Sequence, residues 1–568
     1  MSLFLDVLFS FLGSRTLAAF HDECGKPTET QERLLNRIIT KNRETAFGTA
    51  HRFSNIVSFA HFQRRVPITT YEDLKPYIDA SLRGEPNQLT AERPVLFATT
   101  SGTTGASKYI PVTPDSRPLK SYLMRVWLSA LQRDHKIFGG QILTIVSPEV
   151  ESYAPCGTPC GAESGHGYKN IPRAIKSLYS CPYEVYEIKD YEAKYYCLLR
   201  IAAGQPISLI YTCNPSTVLL LGQRLARFTE PIIRDVRDGT LSREFDIPGD
   251  LRAAIEAQLS ANPGRAAALE KAASESAGDL LPRHVWPELA AIGCWKGGTV
   301  GMYVEKFDQY YPPGLPVRDI GYFASEHRGS VPMTDVGSSG VLAIPTNVYE
   351  FFPLEEDRKP KGAELLTVEE LEQDKRYYIY VTTVAGLYRY EMNDIVEVTG
   401  FYGKTPLIRF IQKGKGVVSF TGEKLYESQV LASVDDAFAP LLGRYEFIAA
   451  IGEMRGVKPC YVFLIEFDQP VQDRQAKVML NSLEGALRSH NTEYASKRDS
   501  MRLDPPVLRI IKSGEFDRYR KRAVENGKSD GQFKILRLTT DDSFAREFEA
   551  EREVTTDGLG GRLYGENA

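Results

Sequence analysis

"VLFATTSGTTGASKYIPVT", residues 95–113, decides how this chain is read. Five hydroxyl residues and two glycines stand between Thr99 and Gly105, and Lys108 follows three places on. An apolar run precedes this loop, and an apolar, proline-containing run follows it. Backbone N–H groups can converge on anionic oxygens where glycine permits close approach and left-handed angles. Ser and Thr hydroxyls add donors, and a nearby lysine supplies a point charge. Thr100, Ser101, Gly102, Thr103, Thr104, Gly105 and Lys108 therefore form the candidate phosphate cradle. No Gly-Lys-Ser/Thr closes the loop, so it is not a Walker loop. A plain Ser/Thr/Gly surface loop is the competing reading.

The 568 residues exceed what one hydrophobic core serves, so two or three domains are expected. Apolar residues make up 42% and charged residues 25%, the balance of an ordinary globular protein. A net charge of −4, from 69 basic and 73 acidic residues, gives no support to a nucleic-acid or membrane partner. Any anionic ligand must be held locally. The eight cysteines show no framework spacing, which favours reduced thiols. Cys156 and Cys160, with His166 nearby, lack the second ligand pair that a structural zinc site needs, and they read as loop or buried cysteines. The N-terminal "MSLFLDVLFSFLGSRTLAAF" has no basic leader and is interrupted by Asp6. It reads as an amphipathic helix docked on the body rather than a signal peptide. Other segments fall short of the ~20 apolar residues of a membrane span. A soluble, cytoplasmic monomer is expected.

Residues 28–85 read as helices and turns, with a Thr cap in "PITTYEDLKPYI". "GGQILTIVSP" (139–148) and "PISLIYTCNPSTVLLLGQRL" (206–225) each read as a buried strand, turn and helix. That alternation predicts an α/β body with a partly parallel sheet. From 341 to 410 Tyr, Val, Ile and Thr dominate, and strands are expected. "QKGKG" after Ile411 is a short polar connector, and residues 417–568 alternate strands and helices as a separate, smaller α+β unit.

Two further stretches carry chemistry. In "RDIGYFASEHRG" (318–329), aromatic Tyr322 offers a face for a purine, and Glu326 is a lone carboxylate of the kind that holds Mg²⁺ beside polyphosphate. A strand end with a solvated Glu is the alternative. In "AGLYRYEMNDIVEVTGF" (385–401), Asp394, just before a strand, can accept both hydroxyls of a ribose. It can also simply end a turn.

"TSGTTGxxK" resembles the phosphate loop of the adenylate-forming enzymes. "YFASE" resembles their second motif and, more closely, the Tyr-x-Ser-Ser-Glu of the plant Gretchen Hagen family of acyl acid–amido synthetases, with Ala324 in place of the first serine. "AGLYRYEMNDI" resembles that family's Ala-Gly-Leu-Tyr-Arg-Tyr-Arg-Val-Gly-Asp-Val, with Glu391, Met392 and Asn393 replacing Arg, Val and Gly. Asn tolerates the left-handed geometry that Gly provides. "VYEFFP" (348–353), "CWKGG" (294–298) and "GQFKILRL" (531–538) resemble the same family.

The resemblance implies an α/β adenylate-forming domain over 1–411, a hinge at 412–416 and a smaller mobile α+β lid over 417–568. It implies ATP and Mg²⁺ as cofactors, and activation of a carboxylic acid to acyl-AMP followed by transfer to an amino acid amine. Ser101, Gly102, Thr103, Thr104, Gly105 and, with them, Thr100 and Lys108 would hold phosphates. Tyr322, Ala324 and Ser325 would border the nucleotide, Tyr322 lying on adenine. Asp394 would hold the ribose and Glu326 the metal. Lys424, Lys534 and its rival Lys528 are the candidate catalytic lysines of the small domain. A coenzyme A ligase and a non-catalytic nucleotide-binding regulator are the alternatives.

Overall fold

The computed structural model describes residues 2–100, 108–354, 360–414, 417–418, 425–438, 445–455, 458–499, 503–525, 535–539 and 541–556. The chain divides into two compact units, Met1–Ile411 and Gln412–Ala568.

The first unit holds three main sheets. A four-stranded sheet runs in the order 108–112, 96–100, 159–161, 152–153. A second, wholly parallel, runs 141–144, 207–211, 291–293, 317–318. A third has six strands, 347–353, 376–383, 390–402, 405–413, 340–342 and 330–331, with 376–383 antiparallel to both 347–353 and 390–402, and 340–342 antiparallel to both 405–413 and 330–331. Strands 207–211 and 291–293 of the parallel sheet are mostly apolar and buried, as parallel strands covered on both faces are. Helix Ser116–His135 buries Leu123, Val126, Trp127, Ala130 and Leu131 against that sheet.

The N-terminal helix, Ser2–Cys24, packs along Ser116–His135 as the sequence predicts. Phe20 and Cys24 are buried one turn apart, and Phe20 packs on Tyr122 and Tyr402. Helix Tyr71–Leu82 starts at the expected cap, where Asp73 accepts from both the N–H and the hydroxyl of Thr70 at 2.7 Å. No described helix is long and apolar enough to cross a membrane.

The second unit is a five-stranded mixed sheet in the order 538–539, 445–455, 458–467, 507–511, 550–554. Its connections include helices Asp473–His490 and Glu515–Glu525. Glu466, buried, accepts from the N–H groups of Gly514 and Phe516 and so caps the second of these helices from the sheet.

Candidate active site

The phosphate-loop residues Ser101, Gly102, Thr103, Thr104 and Gly105 lie outside the described residues, as do Lys424, Lys528 and Lys534. The strands on either side of the loop are described. Leu96–Thr100 and Lys108–Val112 pair antiparallel, and Thr100 stands opposite Lys108 at the mouth of the loop. The Lys108 ammonium rests 5.3 Å from the centroid of the Tyr71 ring, and the Tyr71 hydroxyl accepts from the Tyr109 N–H at 2.9 Å.

Tyr71 leads to the other two motifs. Just before it, Thr69 bridges Tyr390. Its N–H donates to the Arg389 carbonyl at 3.1 Å, and its carbonyl accepts from the Glu391 N–H at 2.8 Å. Burial raises the pKa of the Tyr390 hydroxyl, and the nearby negative charge of Glu326 is the next contribution, followed by Tyr71, Asp394 and Glu391. The strand that follows the hydroxyl–glycine loop and the strand that carries Asp394 are therefore tied together through Thr69 and Tyr71. Tyr71, Tyr322 and Tyr390 belong to one core cluster, with Ala324 and Phe410 against it.

The "YFASEHRG" segment is a tight hairpin. Phe323 bridges Arg328, and the Ala324 N–H donates to the His327 carbonyl at 2.9 Å. Ser325 and Glu326 form the tip and are half-buried. Glu326 has no ion-pair partner among the described residues. No described trio of His, Cys, Asp or Glu side chains could hold a metal on its own. A lone, reachable carboxylate fits Mg²⁺, which takes few direct protein ligands and completes its octahedron with water and phosphate oxygens.

Tyr322 has a different task from the purine platform expected of it. The residue is 8% exposed. Its ring stacks on Phe410 at 5.7 Å and 8°, with His327 edge-on at 5.2 Å. The Gly329 backbone is so close that a Cβ there would meet the Tyr322 ring at 2.6 Å. The ring thus has no open face, and what it presents is its hydroxyl, which donates to Asp394 Oδ2 at 2.7 Å.

Asp394 also sits differently from the expected pre-strand turn. It lies within strand Tyr390–Tyr402, where the ladder jumps from Tyr380↔Glu391 to Tyr378↔Ile395. Met392, Asn393 and Asp394 thus oppose Ile379 alone, a bulge that re-aims the side chain. Asn393 supplies the left-handed step at φ 52° that the replaced glycine would have given.

Residues missed by the sequence reading hold these motifs in place. Arg389, wholly buried, makes a two-pronged bond to Glu350, 2.8 Å on each arm. It also donates to the carbonyls of Gln63, Val66 and Gly362. The "VYEFFP" and "LYRYE" stretches are thus two halves of one buried ion pair. "CWKGG" similarly supports the Tyr322 segment. Trp295 Nε1 donates to the Gly321 carbonyl at 2.9 Å, and the Lys296 N–H donates to Asp319 at 2.6 Å. Burial pushes Asp319 up to about 6, against the backbone N–H groups of Lys296 and Gly321 that favour its anion. His166, considered above with Cys156 and Cys160, instead bonds Glu149 at 2.6 Å.

The chain matches the GH3 family N-terminal domain over residues 16–317, the GH3 family central domain over 340–413 and the GH3 family C-terminal domain over 428–543. It belongs to the GH3 family. It is 27% identical over 518 residues to indole-3-acetic acid-amido synthetase GH3.10 of Arabidopsis thaliana, covering 84% of this chain and 86% of that one. Over 563 residues it is 24% identical to GH3.15 of the same plant, covering 94% of each. It shares its fold with a solved GH3.15 acyl acid amido synthetase at a TM-score of 0.84, 21% identity and coverage of 96% of this chain and 97% of that one.

Proposed function

We propose that this chain is an ATP-dependent acyl acid–amido synthetase. The observation that carries the reading is the match to all three GH3 family domains, in a chain whose relatives are amido synthetases along 86% and 94% of their length. In the first step a carboxylate oxygen attacks the α-phosphorus of ATP, the bond to the bridging oxygen breaks and pyrophosphate leaves. In the second, an amino acid amine attacks the acyl carbon. The C–O bond to AMP breaks, AMP departs, and the nitrogen sheds a proton to form the amide.

Both reactants of the first step are anions, so the site must neutralise charge and align the attack. Thr100 through Gly105 with Lys108 cradle the phosphates. Glu326 holds Mg²⁺, which when bound neutralises polyphosphate charge. Ser325 and Ala324 border the nucleotide, and Asp394, oriented by Tyr322, accepts the ribose hydroxyls. A lysine of the second unit, Lys424, Lys534 or Lys528, supplies the remaining cation, with backbone rotation at 412–416.

The test is incubation with ATP, Mg²⁺ and a panel of carboxylic acids, with mixed amino acids or coenzyme A as acceptor, read by mass spectrometry. An N-acyl amino acid is the expected product. A thioester as the sole product would overturn the amide assignment, and nucleotide binding without turnover would favour a regulator.

A further inference from the structure

The turn that carries Glu326 has two sides. Neighbouring residues along an extended arm point to opposite faces. Tyr322 and His327 face each other on the Asp394 side. Phe323 and Arg328 face the other way, the guanidinium carbon 5.4 Å from the Phe323 ring centroid. On that side lie helix Ser116–His135, the carboxyl end of strand Ile207–Tyr211 and Trp295, whose ring is 5.1 Å from that of Phe323.

Arg328 is 8% exposed. It donates to the Ile320 carbonyl at 3.1 Å and lies 3.9 Å from Met124 Sδ, and its positive charge acts on the Tyr211 hydroxyl. Among the described residues it is in no ion pair with a carboxylate, and its buried Nε has no hydrogen-bond partner. A guanidinium has five donors, and several here are unused. A buried charge without an opposite charge is strongly unfavourable, so some anion should complete it.

Partly exposed side chains surround Arg328. Met124, Tyr211, Cys213, Trp295 and Phe323 each keep part of their surface accessible. Yet burial pushes the Cys213 thiol up to about 12 and raises Tyr211, in both cases against the positive charge of Arg328. An apolar and aromatic lining with one charged group suits a small organic ligand, and the carboxyl edge of a parallel sheet is where α/β folds take ligands.

We propose that Arg328 anchors a substrate carboxylate, that of the acyl acid or of the acceptor amino acid, among these side chains. The inference rests on the amido-synthetase reading, in which both organic substrates carry that group. The Glu326 turn then lies between the nucleotide on the Tyr322 side and the organic substrate on the Arg328 side. The planar fork of arginine matches a carboxylate with two parallel bonds.

The test uses the full-length Arg328→Met and Arg328→Lys variants. Carboxylic acids and amino acids, without ATP, should raise the melting temperature of the wild type and leave that of Arg328→Met unmoved. The free Arg328→Met protein should melt at or above the wild-type temperature, because an uncompensated charge is gone. In turnover, KM should rise tenfold or more with the methionine and partly recover with the lysine.

If the acyl acid is the anchored group, the rise appears in acid-dependent pyrophosphate release. If it is the acceptor, pyrophosphate release is unchanged, KM for the amino acid rises, and an amine without a carboxylate is used equally well by both proteins. Wild-type binding and KM values for both substrates in Arg328→Met would overturn the proposal. If Arg328→Met fails to fold, wild-type binding and KM values in Arg328→Lys would overturn it. A wild type that releases no pyrophosphate with any acid would remove the amido-synthetase reading. A ligand-dependent melting shift lost in Arg328→Met would still stand for Arg328.

Discussion

Arg389 and Arg328 are both buried arginines in stretches that the sequence marks out, and they are satisfied in opposite ways. Arg389 has a two-pronged carboxylate partner and three backbone carbonyls around its guanidinium. Arg328 has one carbonyl, a thioether and a nearby tyrosine hydroxyl. A fully partnered buried charge fixes two strands in place, whereas an under-partnered one keeps its charge for something that arrives. The contrast separates scaffold from site within a few ångströms of the same sheet.

The largest effect should come from breaking the scaffold pair. Glu350→Gln leaves the Arg389 guanidinium buried without its anion and should cost about 3–5 kcal/mol, read by denaturant unfolding. A loss under about 1 kcal/mol would mean that the pair is replaceable and the contrast with Arg328 is lost. Glu326→Gln, at a half-buried turn tip, should leave the melting curve unchanged while lowering turnover by about 10²–10³-fold, the scale for removing one group that stabilises developing charge. Tyr322→Phe removes a hydrogen bond to a buried carboxylate and should cost about 1.5–3 kcal/mol. Because the ring stays, the loss should appear mainly as a higher KM for ATP. Unchanged ATP kinetics would separate the Tyr322–Asp394 pair from the nucleotide.

The smallest effect is a pH dependence. Asp319 binds its proton more tightly folded, at about 6, than at its ordinary 3.8. It therefore adds stability below about pH 4, and that contribution is lost as pH rises through about 6. Asp319→Asn should flatten the stability profile over this window and leave the Glu350 and Glu326 effects intact.

Much of the fold was legible because it is local. The cap at Thr70, the buried runs at 141–144 and 207–211 and the strand-rich 341–410 stretch follow from spacing and composition alone. The site was legible only as separate stretches. Nothing in the one-dimensional pattern tells that Glu350 meets Arg389 across 39 positions, or that Trp295 holds the Gly321 carbonyl. "VYEFFP" and "CWKGG" carried a family likeness without a reason, and the packing supplies it. The burial of Tyr322 was not legible because exposure is a property of the fold, here decided by Phe410 and Gly329. Arg328 drew no notice because an arginine beside a turn ordinarily means a solvated charge.

The central claim is that a nucleotide meets a carboxylic acid on the Glu326 turn. Isotope exchange between pyrophosphate and ATP tests it most directly, run with an acid panel and without any amino acid. The account predicts exchange that requires both an acid and Mg²⁺ and that falls by about 10²-fold or more in Glu326→Gln. Exchange that ignores the acid, or that is undiminished in Glu326→Gln, would contradict it.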